Sequence, residues 1–223
     1  MFSRLDAVGG ERTGGNAKRV RLSPAERREQ LITLGARMLR ERALEDISVG
    51  EIAARAGISR GLLFHYFTTK QDFQLAIVRH ANTELLARTM PDRSLSLPDM
   101  LRDAVDRYVR YVSDNRTSYL ALLRGPASTR PELVTLVDAT RYAIVDRILA
   151  EAPVSPDDPD RPRLRLAVRG WIAFAEETTL SWLREETITR DQLIDLLVES
   201  LPALARSPLL SAALRAGDQV RYS

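Results

Sequence analysis

SVGEIAARAGISRGLLFHYFTTK, residues Ser48–Lys70, decides how the rest of this chain is read. Ser48 followed three residues on by Glu51 forms a capping-box pattern, in which the hydroxyl takes an orphan backbone N–H and the carboxylate reaches back. Ile47 before the cap and Ile52 at the fourth helical position suit a hydrophobic staple. Val49, Ile52, Ala53 and Ala56 then share one helical face. Gly57 supplies a left-handed stop. Ser59 caps a second helix, with Ile58 placed to staple to Leu63. Two short helices around a turn of three to four residues containing Gly form a helix-turn-helix, whose second helix is built to enter the DNA major groove.

On that second helix Leu63 and Phe67 point back to a core, which leaves Arg60, Gly61, Leu62, Phe64, His65 and Tyr66 for the other faces. A lone surface helix rarely gives so much aromatic mass to solvent. Aromatic and basic side chains pack on sugars, donate to phosphates and read base edges. On the residues alone, the competing reading is that Phe64, His65 and Tyr66 are packing residues of an ordinary helical bundle.

The stretch resembles the DNA-binding domain of the TetR (tetracycline-repressor) family of bacterial transcriptional regulators. The matching residues are Ser48, the Ile-Ala-Ala run from Ile52, Ala56-Gly57-Ile58-Ser59, then Gly61, Leu63, Phe64, Tyr66, Phe67 and Lys70. The resemblance implies base or sugar contacts by Arg60, Gly61, Leu62, Phe64 and His65. It implies phosphate contacts by Ser48, Tyr66 and Lys70. Three positions depart from the pattern. Leu62 stands where the family often has Thr or Ser, leaving apolar contact only. Phe64 replaces the usual Tyr and donates no hydroxyl hydrogen bond. Ala43 stands where Gly often ends the first helix.

Composition agrees. The chain has 223 residues, enough for a sizeable core and one or two domains, and a net charge of +3. That mild excess suits a basic patch at one end rather than a chain coating nucleic acid throughout. Cysteine is absent, which excludes disulfides and thiolate metal sites. The two histidines, His65 and His80, give no metal-ligand spacing and no catalytic triad, and the chain carries neither a phosphate-binding glycine loop nor a nucleophile elbow. The reading is therefore a non-enzyme without metal or cofactor. No apolar run reaches membrane-spanning length and the N-terminus lacks a signal-peptide core, so the expectation is a cytoplasmic protein with no membrane association. Lys18 and Lys70 are the only lysines. Lys70 opens the helix after the recognition helix, where the macrodipole disfavours a cation unless a phosphate lies nearby.

The whole chain reads as all-α. Residues 1–22, with Gly9, Gly10, Gly14, Gly15 and the basic Arg12, Lys18, Arg19 and Arg21, read as a disordered arm, either solvated or able to reach a minor groove. Residues 23–70 form the helix-turn-helix domain, opened by the capping box of Ser23-Pro24-Ala25-Glu26, with Leu31, Ile32, Gly35, Met38 and Leu39 as the first buried stripe. Residues 71–206 form a ligand-binding and dimerisation domain, and 207–223 a tail. A linker helix is expected from Thr69 to about Met90, then helices near 97–113, 116–124, 131–151, 163–184 and 189–205. Pro153–Pro162 can only be a loop.

Two stripes on the last two helices suit a homodimeric four-helix bundle: Leu166, Gly170, Ala173, Glu177 and Ser181 on one, Leu193, Leu196, Leu197, Leu201 and Leu204 on the other. An intrachain core is the alternative for either. A small-molecule effector site is expected along Tyr108, Tyr111, Tyr119, Leu123, Trp171 and Phe174, with Leu122 and Trp182 nearby, since aromatic and aliphatic walls with few polar tips suit a largely apolar ligand. Arg169, Glu176 and Glu177 interrupt an otherwise apolar helix and face either that site or the surface. The resulting expectation is a homodimeric regulator on a palindromic operator in double-stranded DNA, most simply a repressor released by a ligand. An architectural helix-turn-helix protein without a ligand, and a helical binding protein that has lost DNA contact, remain as alternatives.

Overall fold

The computed structural model describes residues 22–205. The arm with its basic residues and the tail expected at 207–223 lie outside the described residues. Ser23 opens α1, Pro24–Leu39, with the expected reciprocal cap: its Oγ accepts from the Glu26 N–H, and the Glu26 carboxylate accepts from the Ser23 N–H at 2.8 Å. A turn of 3-10 helix at Leu44–Asp46 leads to α2, Val49–Arg55, and α3, Arg60–Tyr66. Ala43 is extended, at φ −64°, so no glycine is needed where α1 ends. Gly57, at φ 65°, makes the left-handed step between α2 and α3.

The long linker helix α4, Lys70–Arg88, extends about 28 Å at 1.5 Å per residue. It is followed by α5, Leu97–Asp114, α6, Arg116–Arg124, a 3-10 turn at Pro126–Thr129, and α7, Pro131–Glu151. Across the proline-rich loop lie α8, Arg161–Glu185, and α9, Arg190–Ala205. All regular structure among the described residues is helical.

Two apolar cores organise these helices. The first joins α1, α2 and α3 to the first half of α4: Leu31, Ile47, Ile52, Leu63, Phe67, Phe73 and Ile77 are sealed from solvent together. It also takes in Ala127 and Leu133, so the head rests on the junction between α6 and α7. Gly35 permits this closeness: a Cβ there would overlap the Ile77 side chain, and no room remains for a methyl between α1 and α4. The second core lies among α5, α7, α8 and α9, centred on Val109, Val145, Val168 and Leu197.

Two local expectations need correcting. Ser48 caps α2 by accepting from the Glu51 N–H, but the Glu51 carboxylate does not reach back. It lies between Arg42, at 2.9 Å, and Arg55, at 2.7 Å, because two cations compete with one backbone N–H. On α9, Leu193, Leu197 and Leu201 belong to the intrachain core and are fully buried. Their four-residue spacing drifts slowly round the helix and stays on one arc, while Leu196 lies about 100° away, outward.

Candidate nucleic-acid interface and ligand cavity

The recognition helix α3 divides as its sequence suggests. Leu63 and Phe67 are fully buried, while Leu62 and Phe64 keep 40% and 43% of their surface in solvent. Arg60, Gly61 and His65 are exposed on the same helix, and Tyr66 is half-buried against the first core. Apolar groups of this size left in solvent on a seven-residue helix call for a partner.

Three contacts around α3 were not readable from spacing. The Arg60 guanidinium lies across Gly50, in the first turn of α2, in the space a Cβ would occupy. Arg28 of α1 stacks over the Phe67 ring, 4.9 Å from its centroid. His65 meets Tyr66 edge-on at 5.6 Å between ring centroids. Lys70, at the first position of α4, donates through Nζ to the Glu45 carbonyl at 2.9 Å. An ammonium has three donors, so this contact orients Lys70 and leaves others for an anion. Ser48, the exposed cap of α2, accepts from the Glu51 N–H through Oγ and keeps its hydroxyl proton to donate. Among the described residues Arg60 and Lys70 form no ion pair. Arginines farther along the chain are largely neutralised, as with Arg93–Glu151, Arg102–Asp195 and Arg165–Asp146. Other arginines, such as Arg79, Arg147 and Arg161, also lack an ion pair, so Arg60 and Lys70 put positive charge beside α3 without being the sole uncompensated cations among the described residues.

A cavity of about 180 Å³ opens between α4, α5, α6, α7, α8 and the inner face of α9. Tyr108, Tyr111, Tyr119, Leu123 and Trp171 all line it, as expected, and so does Leu122. Phe174 does not. The cavity-facing arc of α8 carries Trp171, Ile172, Ala175 and Glu176, and Phe174 points about 130° away, packing instead on the second core. Trp182 is also absent from the wall: it lies beyond the cavity along α8, where its Nε1 donates to the Ile188 carbonyl at 2.7 Å. Of Arg169, Glu176 and Glu177 on α8, only Glu176 faces the cavity. Glu177 pairs with Arg124 on the outside, and Arg169 lies over the Tyr142 ring at 4.5 Å.

The contribution of α7 was missed. Val137, Arg141, Ile144, Arg147 and Ile148 form one face of it and line the cavity. Their three- and four-residue spacing is visible in the sequence, but a core stripe has the same spacing. Arg141 is held by Glu176, with Nη2–Oε2 at 2.7 Å, and by Asp138 at 3.0 Å. Several wall residues also hold α4 in place. Tyr111 donates its hydroxyl to the Ala81 carbonyl at 3.0 Å, Asn82 donates to the Leu136 carbonyl at 3.2 Å, and Arg147 donates to the Leu86 carbonyl at 2.5 Å. Burial pushes the Tyr111 phenol up to about 12, with Glu84 adding to the rise, so this donor stays neutral.

Comparison with known proteins matches both halves. Residues 31–77 fit the model for bacterial regulatory proteins of the tetR family, and residues 97–204 the tetracyclin repressor-like C-terminal domain. The chain is similar to the HTH-type transcriptional activator FasR of Mycolicibacterium smegmatis, at 25% identity over 82% of this chain and 84% of the relative. It is 31% identical to the HTH-type transcriptional regulator BetI of Stenotrophomonas maltophilia, over 71% of this chain and 80% of the relative. A tetR-family transcriptional regulator from Streptomyces coelicolor has a similar structure, with a TM-score of 0.75 and 34% identity over 87% of this chain and 89% of that one.

Proposed function

The chain belongs to the tetR family of bacterial transcriptional regulators, and from that premise we propose that it binds a palindromic operator as a homodimer and represses until a small, largely apolar ligand enters the cavity. The observation that carries this reading is the double role of α4. It begins with Lys70 beside the recognition helix, and its far half supplies Ala81, Asn82, Leu85 and Thr89 to the cavity wall. A ligand that shifts α4 therefore acts directly on the orientation of the head.

Arg60, Gly61, Leu62, Phe64 and His65 meet bases and sugars in this proposal, and Ser48, Tyr66 and Lys70 meet phosphates. With Leu62 and Phe64 apolar, α3 favours contacts such as those to thymine methyls over hydroxyl-mediated readout. Dimerisation uses the outer face of α8. Leu166, Gly170, Ala173, Glu177 and Ser181 fall within an arc of about 80° and are all exposed, Leu166 at 71%. Nothing lies within 4 Å of a Cβ built on Gly170, so a second helix can approach closely there. Leu196 of α9, 43% exposed, extends this surface. No described helix is long and apolar enough to cross a membrane, in keeping with a protein that works on DNA in the cytoplasm.

Selection of bound fragments from genomic DNA tests the proposal. Enrichment of inverted half-sites with a fixed spacing supports it. Weak preference spread over unrelated sequences would instead favour an architectural protein.

A further inference from the structure

We infer that the cavity selects a medium-sized apolar molecule bearing one uncharged oxygen acceptor, such as a ketone, ester or lactone carbonyl, which is read by the hydroxyl pair of Tyr108 and Tyr119. The inference rests on the reading of this cavity as the effector site.

Most polar groups on the wall are already committed. Asn82 and Thr140 bond the Leu136 carbonyl, Asn115 the Tyr111 carbonyl, Ser118 the Asn115 carbonyl, and Tyr111 the Ala81 carbonyl. Tyr108 and Tyr119 differ. Their oxygens lie 3.1 Å apart, and their rings meet edge-on. Two hydroxyls carry two protons, and only one is used between them. The buried Thr179 hydroxyl lies close enough to interact with the Tyr108 hydroxyl, but it brings a proton of its own and has no other partner, so three hydroxyls in a row share at most two bonds and one proton is left without an acceptor in the protein. A buried donor left without an acceptor is costly, so this corner of the cavity favours a ligand that brings one.

Charge excludes the ionised alternative at the same place. Arg141 is shared by two carboxylates, Glu176 and Asp138, so the three groups sum to one negative charge beside the tyrosines. Burial raises the pKa of both phenols well above the ordinary tyrosine value, and the nearby Glu176 raises it further. They remain neutral donors across the physiological range. A carboxylate here would lose its hydration and meet a net negative field. Arg147, the other arginine on the wall, lies six residues from Arg141, about 9 Å along α7, with its guanidinium on the Leu86 carbonyl. The cavity volume of about 180 Å³ is modestly larger than the ~150 Å³ space that admits benzene, which suits a single ring or a medium chain.

Calorimetric titration of the full chain near neutral pH with nonanone and nonanoate, two probes of one chain length, decides the matter, with Trp171 fluorescence in a Trp182→Phe background as a second readout inside the cavity. The ketone should bind at least tenfold more tightly than the acid. Tyr119→Phe and Tyr108→Phe should each weaken the ketone roughly five- to tenfold, the loss expected for one buried hydrogen bond, and leave the acid nearly unchanged. Tighter binding of nonanoate, abolished by Arg147→Met, would overturn the uncharged-ligand assignment and leave the effector site standing. Binding of neither probe to the wild type, with Trp171 fluorescence unmoved, would overturn the effector-site reading along with it.

Discussion

Arg130, immediately before α7, donates to the Gln74 side-chain carbonyl at 3.0 Å, and Gln74 passes the connection on, its Nε2 donating to the Leu44 carbonyl at 2.9 Å. Gln74 is fully enclosed in α4. The chain of bonds runs from the base of the C-terminal helices, through the linker helix, to the loop that carries α2. Both ends of the amide are satisfied, so the glutamine fixes register as a hydrophobic residue would not.

Gln74→Leu should lower stability by about 1–3 kcal/mol, because the Leu44 carbonyl and the Arg130 guanidinium lose their partner in a buried place. Denaturant midpoints measure this. If the bond chain also transmits the ligand signal, the variant should show weaker reciprocal coupling between effector and operator than the wild type, measured by calorimetry of each with and without the other. An unchanged midpoint together with unchanged coupling would exclude Gln74 from both roles.

Phosphate and base contacts should separate by their dependence on salt and sequence. Lys70→Ala should weaken binding about equally for operator and scrambled DNA, and lower the log–log salt slope by about one per subunit contact. Arg60→Ala should instead relax preference at particular base pairs, by on the order of 1–3 kcal/mol for a bidentate contact. Gly50→Ala should shift the same preference without loss of thermal stability, because the added methyl displaces the flexible Arg60 guanidinium while alanine favours the helix. A Gly50→Ala protein with wild-type base preference would show that the Gly50 cradle plays no part in readout.

The assembly surface can be tested against the core behind it. Leu196→Glu puts a charge on the outward face of α9 and should give a folded monomer with poor operator binding. Leu197→Glu puts the same charge one residue on, into a fully buried site, and should unfold the chain, since an unpaired buried charge costs several kcal/mol. Sedimentation with circular dichroism distinguishes the outcomes. A fully dimeric Leu196→Glu protein would move the interface elsewhere.

Glu186 ends α8 at φ 46°, the left-handed region, without being glycine. Its ion pair with Arg116, at 3.6 Å and exposed, offsets little of this. Glu186→Gly should therefore raise stability by about 1 kcal/mol, visible as a rise in melting temperature.

Alkaline conditions should weaken the hold of Tyr111 on α4. Its phenol titrates near 12 in the folded chain, above its ordinary value of 10.0, so the unfolded form loses its proton first. Stability from this group is complete below the ordinary value and is lost as pH rises toward the folded one. Tyr111→Phe should be less stable than the wild type near neutrality, and the gap between them should narrow over that alkaline window in pH-dependent melts.

Local chemistry was legible where it needed only neighbours along the chain. The caps at Ser23, Ser48 and Ser59, the glycine step at Gly57 and the inward turn of Leu63 and Phe67 depend on three- and four-residue relations, and the structure reproduces each. The helix-turn-helix and its exposed recognition face follow from these alone. Spacing could not say which side of a helix faces a partner inside the chain and which faces outward. Leu193, Leu197 and Leu201 went to the core, Leu166 and Leu196 to the surface, and Phe174 off the cavity wall, since hydrophobic periodicity marks an apolar arc but not what covers it. The Arg60–Gly50 cradle, the Gln74 bridge and the spare hydroxyl proton of Tyr108 and Tyr119 join residues distant in sequence or on separate helices. The packing of α3 on α2, of α6 on α5, and of α4 against the Leu44 turn and the start of α7 brings these groups together, and that packing is a property of the assembled core rather than of any one segment.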